Sequence, residues 1–151
     1  MTKIVIAAIC AASFALTAAS AETFTFKSSN GDETVVGGVG ADGVRFGGAY
    51  WTGSGVSTSQ AGKKVKYTYK CVSMSQPPRD SIFMSHSACN VAAEDGNFSA
   101  VMGCNILNAE TREASCVGGM YGETGAYEGR RGSMTNHGKD GKSSGTGQWL
   151  E

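Results

Sequence analysis

From Lys64 to Met74 polar and apolar side chains alternate. Lys64, Lys66, Thr68 and Lys70 fall on one side of a two-residue period, and Val65, Tyr67, Tyr69 and Cys71 fall on the other. That pattern predicts a half-buried β-strand with its lysines in water. Gln76-Pro77-Pro78-Arg79-Asp80 ends it, because proline cannot donate to a ladder. The next strand is expected over Ile82–Ala92, with Phe83, Ser85, Ser87, Cys89 and Val91 on one face and Ile82, Met84, His86 and Ala88 on the other. Asp95-Gly96 is a favoured hairpin turn, and Asn97–Leu107 returns with Phe98, Ala100, Met102, Cys104 and Ile106 aligned. Further strands are predicted at Thr23–Ser28, Val44–Thr52, Glu113–Met120, Ala126–His137 and Lys142–Leu150. Gly53–Gly62 reads as a mobile loop and Gly138–Gly141 as a glycine-rich one. No long stretch repeats at 3.6 residues, and the glycines scattered along the chain would be costly inside helices. The expectation is an all-β domain of about eight strands joined by short turns, an antiparallel up-and-down barrel or a sandwich.

The first residues follow a different rule. Lys3 precedes an uncharged run from Ile4 to Ala19, and Ala19-Ser20-Ala21 offers small residues where a signal peptidase cuts. This is the layout of a cleaved secretory leader over residues 1–21. A spanning helix would need roughly 20 strongly apolar residues, whereas this run is diluted by Ala, Ser and Thr. Residues 22–151 then form one domain, in the periplasm or secreted. Cys10 leaves with the leader, and Cys71, Cys89, Cys104 and Cys116 remain. An even number in an exported chain reads as two disulfides. Folding about Asp80 sets Cys71 opposite Cys89, and folding about Glu110 sets Cys104 opposite Cys116. Folding about Asp95-Gly96 would bring Cys89 toward Cys104 instead; the first arrangement is preferred. A metal site is not expected, since no C-x-x-C pair occurs and the histidines are His86 and His137 alone. Net charge is zero and no basic stretch exists, which argues against nucleic acid and against polybasic membrane attachment.

The segment Val117-Gly118-Gly119-Met120-Tyr121-Gly122-Glu123-Thr124-Gly125-Ala126-Tyr127-Glu128-Gly129-Arg130-Arg131-Gly132 resembles the glycine-rich motif shared by allene oxide cyclases and dirigent proteins. Ser133-Met134-Thr135 and Gly145-Thr146-Gly147-Gln148-Trp149 look like the last strands of bacterial members of that barrel superfamily. The resemblance implies an eight-stranded barrel with a mostly apolar lumen open at one end. It also implies chemistry without metal or organic cofactor, and a homo-oligomer, commonly a trimer. Arg131 aligns with a lumen arginine of the dirigent sequences. The polar set that positions substrate in plant allene oxide cyclases has no counterpart in this chain.

Candidate chemistry is sparse. His86 could serve as acid or base if its strand face pointed inward. Tyr67 and Tyr69 share an apolar face, from which a hydroxyl could donate to a ligand oxygen. Tyr127 supplies packing within the glycine-rich motif, and Trp51, expected at a strand end, could rim an opening. Arg131, His86 and Tyr67 are thus the candidate catalytic residues, and Tyr67, Tyr69, Tyr127, Arg131 and Trp51 the candidate ligand contacts. No G-x-S-x-G or Ser-His-Asp set supports hydrolysis. An outer-membrane barrel would need a continuous apolar band, which the lysines of Lys64–Lys70 interrupt. The expected function is binding of a small apolar or aromatic molecule in a barrel lumen. The alternatives are a cofactor-independent cyclase, isomerase or dirigent-type guide, and an interaction module with a filled barrel.

Overall fold

The computed structural model describes residues 21–41, 45–76 and 82–150; residues 1–20 of the expected leader and the two prolines lie outside them. Eight antiparallel strands close into a barrel in simple sequence order. They are β1 (Glu22–Val39), β2 (Arg45–Ser59), β3 (Lys64–Ser75), β4 (Ser85–Ala93), β5 (Gly96–Asn108), β6 (Glu113–Gly122), β7 (Arg131–Lys139) and β8 (Lys142–Leu150). β8 returns to β1, Trp149 facing Glu22 and Lys142 facing Ser29, so the sheet closes on itself. The barrel, not the sandwich, is the solution this chain adopts. A single 3-10 turn at Gly125–Tyr127 is the one helical element among the described residues.

Both disulfides join residues directly opposite each other across adjacent strands: Cys71–Cys89 and Cys104–Cys116, each with Cα atoms 4.1 Å apart. The Asp95-Gly96 hairpin instead sets Cys89 against Ala100, which removes the Cys89–Cys104 alternative. Two such bridges belong to an oxidising compartment.

Several boundaries depart from the sequence expectation. Gly53–Gly62 is not a mobile loop, since β2 continues to Ser59 and pairs with β3 down to Thr58↔Lys64. The reason is a cross-strand fit. Gly53 lies opposite Tyr69 and Gly55 opposite Tyr67, and each ring occupies the space a Cβ on its glycine would fill. A ring folded over a glycine restores the packing that the glycine lacks. The same device recurs at Phe24↔Gly147, Phe26↔Gly145 and Trp149↔Gly132. Glycine and aromatic thus share the crowded interior of an eight-stranded barrel. Trp51 consequently sits inside β2, not at a strand end.

Three smaller corrections follow. Residues 82–84 bend before β4 starts at Ser85, and Phe83 packs its ring over Gly103 of β5. β7 begins at Arg131 rather than Ala126, because residues 123–130 fold back over the barrel end. Their backbone is tied to the β4–β5 turn by Ala126 N–H to Asp95 O (2.8 Å) and Glu123 N–H to Asn97 O (2.9 Å). At the far end β7 runs on to Lys139, so the glycine-rich loop reduces to an Asp140-Gly141 turn, where Gly141 takes a positive φ of 75°.

Candidate functional site

Alternation along each strand sends one set of side chains into the lumen. The lumen has two halves that meet at a waist formed by Trp51 and Met102 with Asn30, Asn136 and Ser143, residues that border both cavities. On the side where β1 starts and β8 ends, a cavity of about 180 Å³ is walled by aromatic rings. Phe98, Tyr127 and Trp149 form its inner cluster. The Phe98 ring meets Tyr127 and Trp149 edge-on at 5.2 Å in both cases, and Tyr127 lies 5.0 Å from Trp149. Tyr67 and Tyr69, with ring centroids 6.2 Å apart, face them from β3. Edge-to-face contacts of this kind add to the stabilisation from burial.

Charge is confined to the mouth. Arg130 lies over the Trp149 ring with 5.7 Å to its centroid and pairs with Glu22 at 3.0 Å. Lys63 bonds Asp95 at 2.7 Å. Burial alone would raise the Asp95 pKa, but the Lys63 ammonium and the Tyr127 hydroxyl outweigh it and hold the carboxyl below its usual range. Burial pushes the Tyr67 hydroxyl up to about 12. Burial, and after it the Asp95 carboxylate, pushes Tyr127 higher still. Tyr69 is also raised by burial, and its hydroxyl donates to Asn30 Oδ1 at 2.7 Å. At neutral pH all three phenols are therefore protonated; they can donate hydrogen bonds but not abstract protons.

The other half, about 240 Å³, is lined by the hydroxyls of Ser73, Ser75, Ser85 and Ser87, and its mouth carries the Glu33–Arg112 ion pair. Asn136 Oδ1, at the waist, is buried and has no hydrogen-bond partner among the described residues. Cys71 and Cys89 face the aromatic half, whereas Cys104 and Cys116 face the hydroxyl half.

Of the residues singled out from sequence, Tyr67, Tyr69, Tyr127 and Trp51 all border the aromatic cavity. Arg131 and His86 do not. β7 turns Gly132, Met134, Asn136 and Gly138 inward, so Arg131 stands exposed on the outer wall. The arginine that reaches the lumen is Arg130, one residue earlier, where the chain still folds over the mouth. His86 is exposed because its neighbours Ser85 and Ser87 take the inward positions of β4. It meets the Phe83 ring edge-on at 5.7 Å outside the barrel. Phe24, Phe98 and Trp149 were missed as cavity residues. The signal was present: Thr23, Thr25 and Lys27 alternate with Phe24 and Phe26.

No protein-family model matches the sequence, and no curated protein matches it. Among the described residues no helix is long and apolar enough to cross a membrane.

Proposed function

We propose that this chain is an exported barrel, periplasmic or secreted, that holds one small apolar or aromatic molecule in the aromatic half of its lumen and releases it unchanged. The observation that carries the reading is the ring-walled cavity of about 180 Å³ with charge only at its mouth. An apolar cavity of roughly 150 Å³ accepts benzene, so the volume suits a single substituted ring. Largely apolar walls with a few convergent polar groups are the usual make-up of a small-molecule site. Here the polar group is the protonated hydroxyl of Tyr67, which suits orienting a ligand, while that of Tyr127 donates to Asp95.

Binding is favoured over turnover because the charged groups that border the aromatic half are engaged with one another at its mouth, Lys63 with Asp95 and Arg130 with Glu22, and His86 and Arg131 lie outside it. The resemblance to allene oxide cyclases and dirigent proteins supports the same location for a ligand and keeps cyclisation or coupling as the competing reading. The two disulfides and the leader-like N-terminus support export. The exposed lysines of β3 support a water-facing outer wall.

Titration of the purified protein with toluene, followed by tryptophan fluorescence, tests the proposal. Saturable quenching that naphthalene-sized compounds fail to reproduce is the expected result. Quenching that never saturates with any one-ring compound rejects it. Recovery of a chemically altered ligand after incubation would transfer the assignment to the cyclase class.

A further inference from the structure

β1 is flanked on both sides only along its first half. Its ladder with β8 ends at Ser29↔Lys142, and Asn30 N–H adds one last bond to Gly141 O at 2.7 Å. Between Asn30 and Glu33 the register with β2 slips by a bulge, which bends the strand. Beyond it, from Glu33 to Val39, β1 pairs with β2 alone among the described residues. β2 likewise outruns β3, whose ladder starts at Gly48↔Met74. The edge of β1 from Glu33 onward is therefore open on the side away from β2, and from Gly37↔Gly47 the hairpin also runs past β3. It is apolar and exposed: Val36 is 73% accessible, Phe46 65% and Val35 49%.

Strand edges are ordinarily guarded by lysine, proline, shortness or a covering element. Thr34-Val35-Val36-Gly37-Gly38 contains no charge and no proline, and Glu33 just before it is engaged by Arg112. Along the body of the barrel each described strand is flanked on both sides, since the sheet closes.

We propose that this edge of β1 pairs antiparallel with the same edge of a second copy about a two-fold axis, joining two barrels into a dimer. Backbone N–H and C=O groups along an edge need hydrogen-bonding partners. Lipid tails supply none, whereas an extended strand supplies both. The segment is also complementary to itself. With the axis through Val36, that residue faces its own image across the interface, Val35 faces Gly37 and Thr34 faces Gly38. No acidic residue then meets its own image, and the valines supply the apolar cross-strand contact.

Sedimentation equilibrium of the purified protein over a concentration series tests this. The wild type is expected at twice the chain mass and Val36→Lys at the single mass, with unchanged near-ultraviolet circular dichroism. Val117→Lys, a change at an exposed valine on the outer wall of β6, is expected to remain dimeric. A wild type that stays monomeric overturns the proposal, as does a Val36→Lys protein as dimeric as the wild type. A trimer indifferent to Val36→Lys overturns it as well, and so does vesicle binding without self-association. Should Val36→Lys unfold, amide hydrogen exchange of the wild type decides. Protection over residues 34–38 that rises with protein concentration supports the pairing, and concentration-independent exchange refutes it.

Discussion

The two halves of the lumen are built by opposite means. In the aromatic half, large rings on β1, β3 and β8 lie over glycines of the neighbouring strands, so stability and cavity shape come from the same contacts. In the hydroxyl half, serines of β3 and β4 line a cavity of similar size together with side chains such as Val35, Ala49 and Ile106. Each half has one disulfide at its wall, so the cross-links do not distinguish them. Composition at the inward positions does. The lesson is that a barrel of one topology can carry a chamber walled by rings packed over glycines and, across a waist, one lined in part by serines.

Three experiments break or sharpen that contrast, in falling order of effect. Trp149 is 3% exposed at the centre of the ring cluster. Trp149→Ala should cost about 3–5 kcal/mol, while Ser73→Ala in the other half should stay within about 0.5 kcal/mol. Urea unfolding measures both, and equal costs would erase the distinction.

Added methyl groups come next. A Cβ on Gly145 would overlap the Phe26 ring and the Thr135 carbonyl, whereas on Gly138, in the hydroxyl half, it would meet its nearest atoms at 3.7 Å. Gly145→Ala should destabilise by about 1–3 kcal/mol, and Gly138→Ala should be neutral or stabilising by up to about 1 kcal/mol. Thermal midpoints of the two variants would settle the matter, and a tolerant Gly145 would mean that the rings do not fix the strand spacing.

The smallest effect is pH-dependent. Tyr67 titrates near 10 when unfolded and is pushed up to about 12 by burial in the fold. Because the folded value is the higher one, the stability linked to its proton is complete below pH 10 and is lost as pH rises toward 12. Tyr127 and Tyr69 shift in the same direction, and no tyrosine borders the hydroxyl cavity. Tyrosinate absorbance together with urea midpoints from pH 8 to 11 should show alkaline destabilisation that Tyr67→Phe reduces. An identical alkaline loss in Tyr67→Phe would exclude this residue as the source.

Much of this architecture was legible in the chain. A strand is expected from sequence at each of the eight positions, three of them on clear two-residue alternation that set Tyr67, Tyr69, Cys71, Cys89 and Cys104 on apolar faces, and hairpin register favoured the observed disulfides. What failed did so for identifiable reasons. Gly53–Ser59 reads as a loop because glycine has no strand preference of its own, and its partner rings are twelve or more residues away in sequence. Arg131 is expected in the lumen from the resemblance to dirigent sequences, but β7 begins at Arg131 with that side chain outward, and the fold of the chain over the mouth brings Arg130 to the cavity instead.

Taken by itself, then, the sequence determined a strand count of about eight and the faces of the strands with clear polar–apolar alternation, and it narrowed the pairing of the cysteines, since each of these depends on neighbours a few residues apart or on one hairpin. Closure of β8 onto β1, the division of the lumen at Trp51 and Met102, and the choice of Arg130 over Arg131 were decided only by the tertiary structure. They depend on which distant strands lie side by side, and local periodicity contains no record of that.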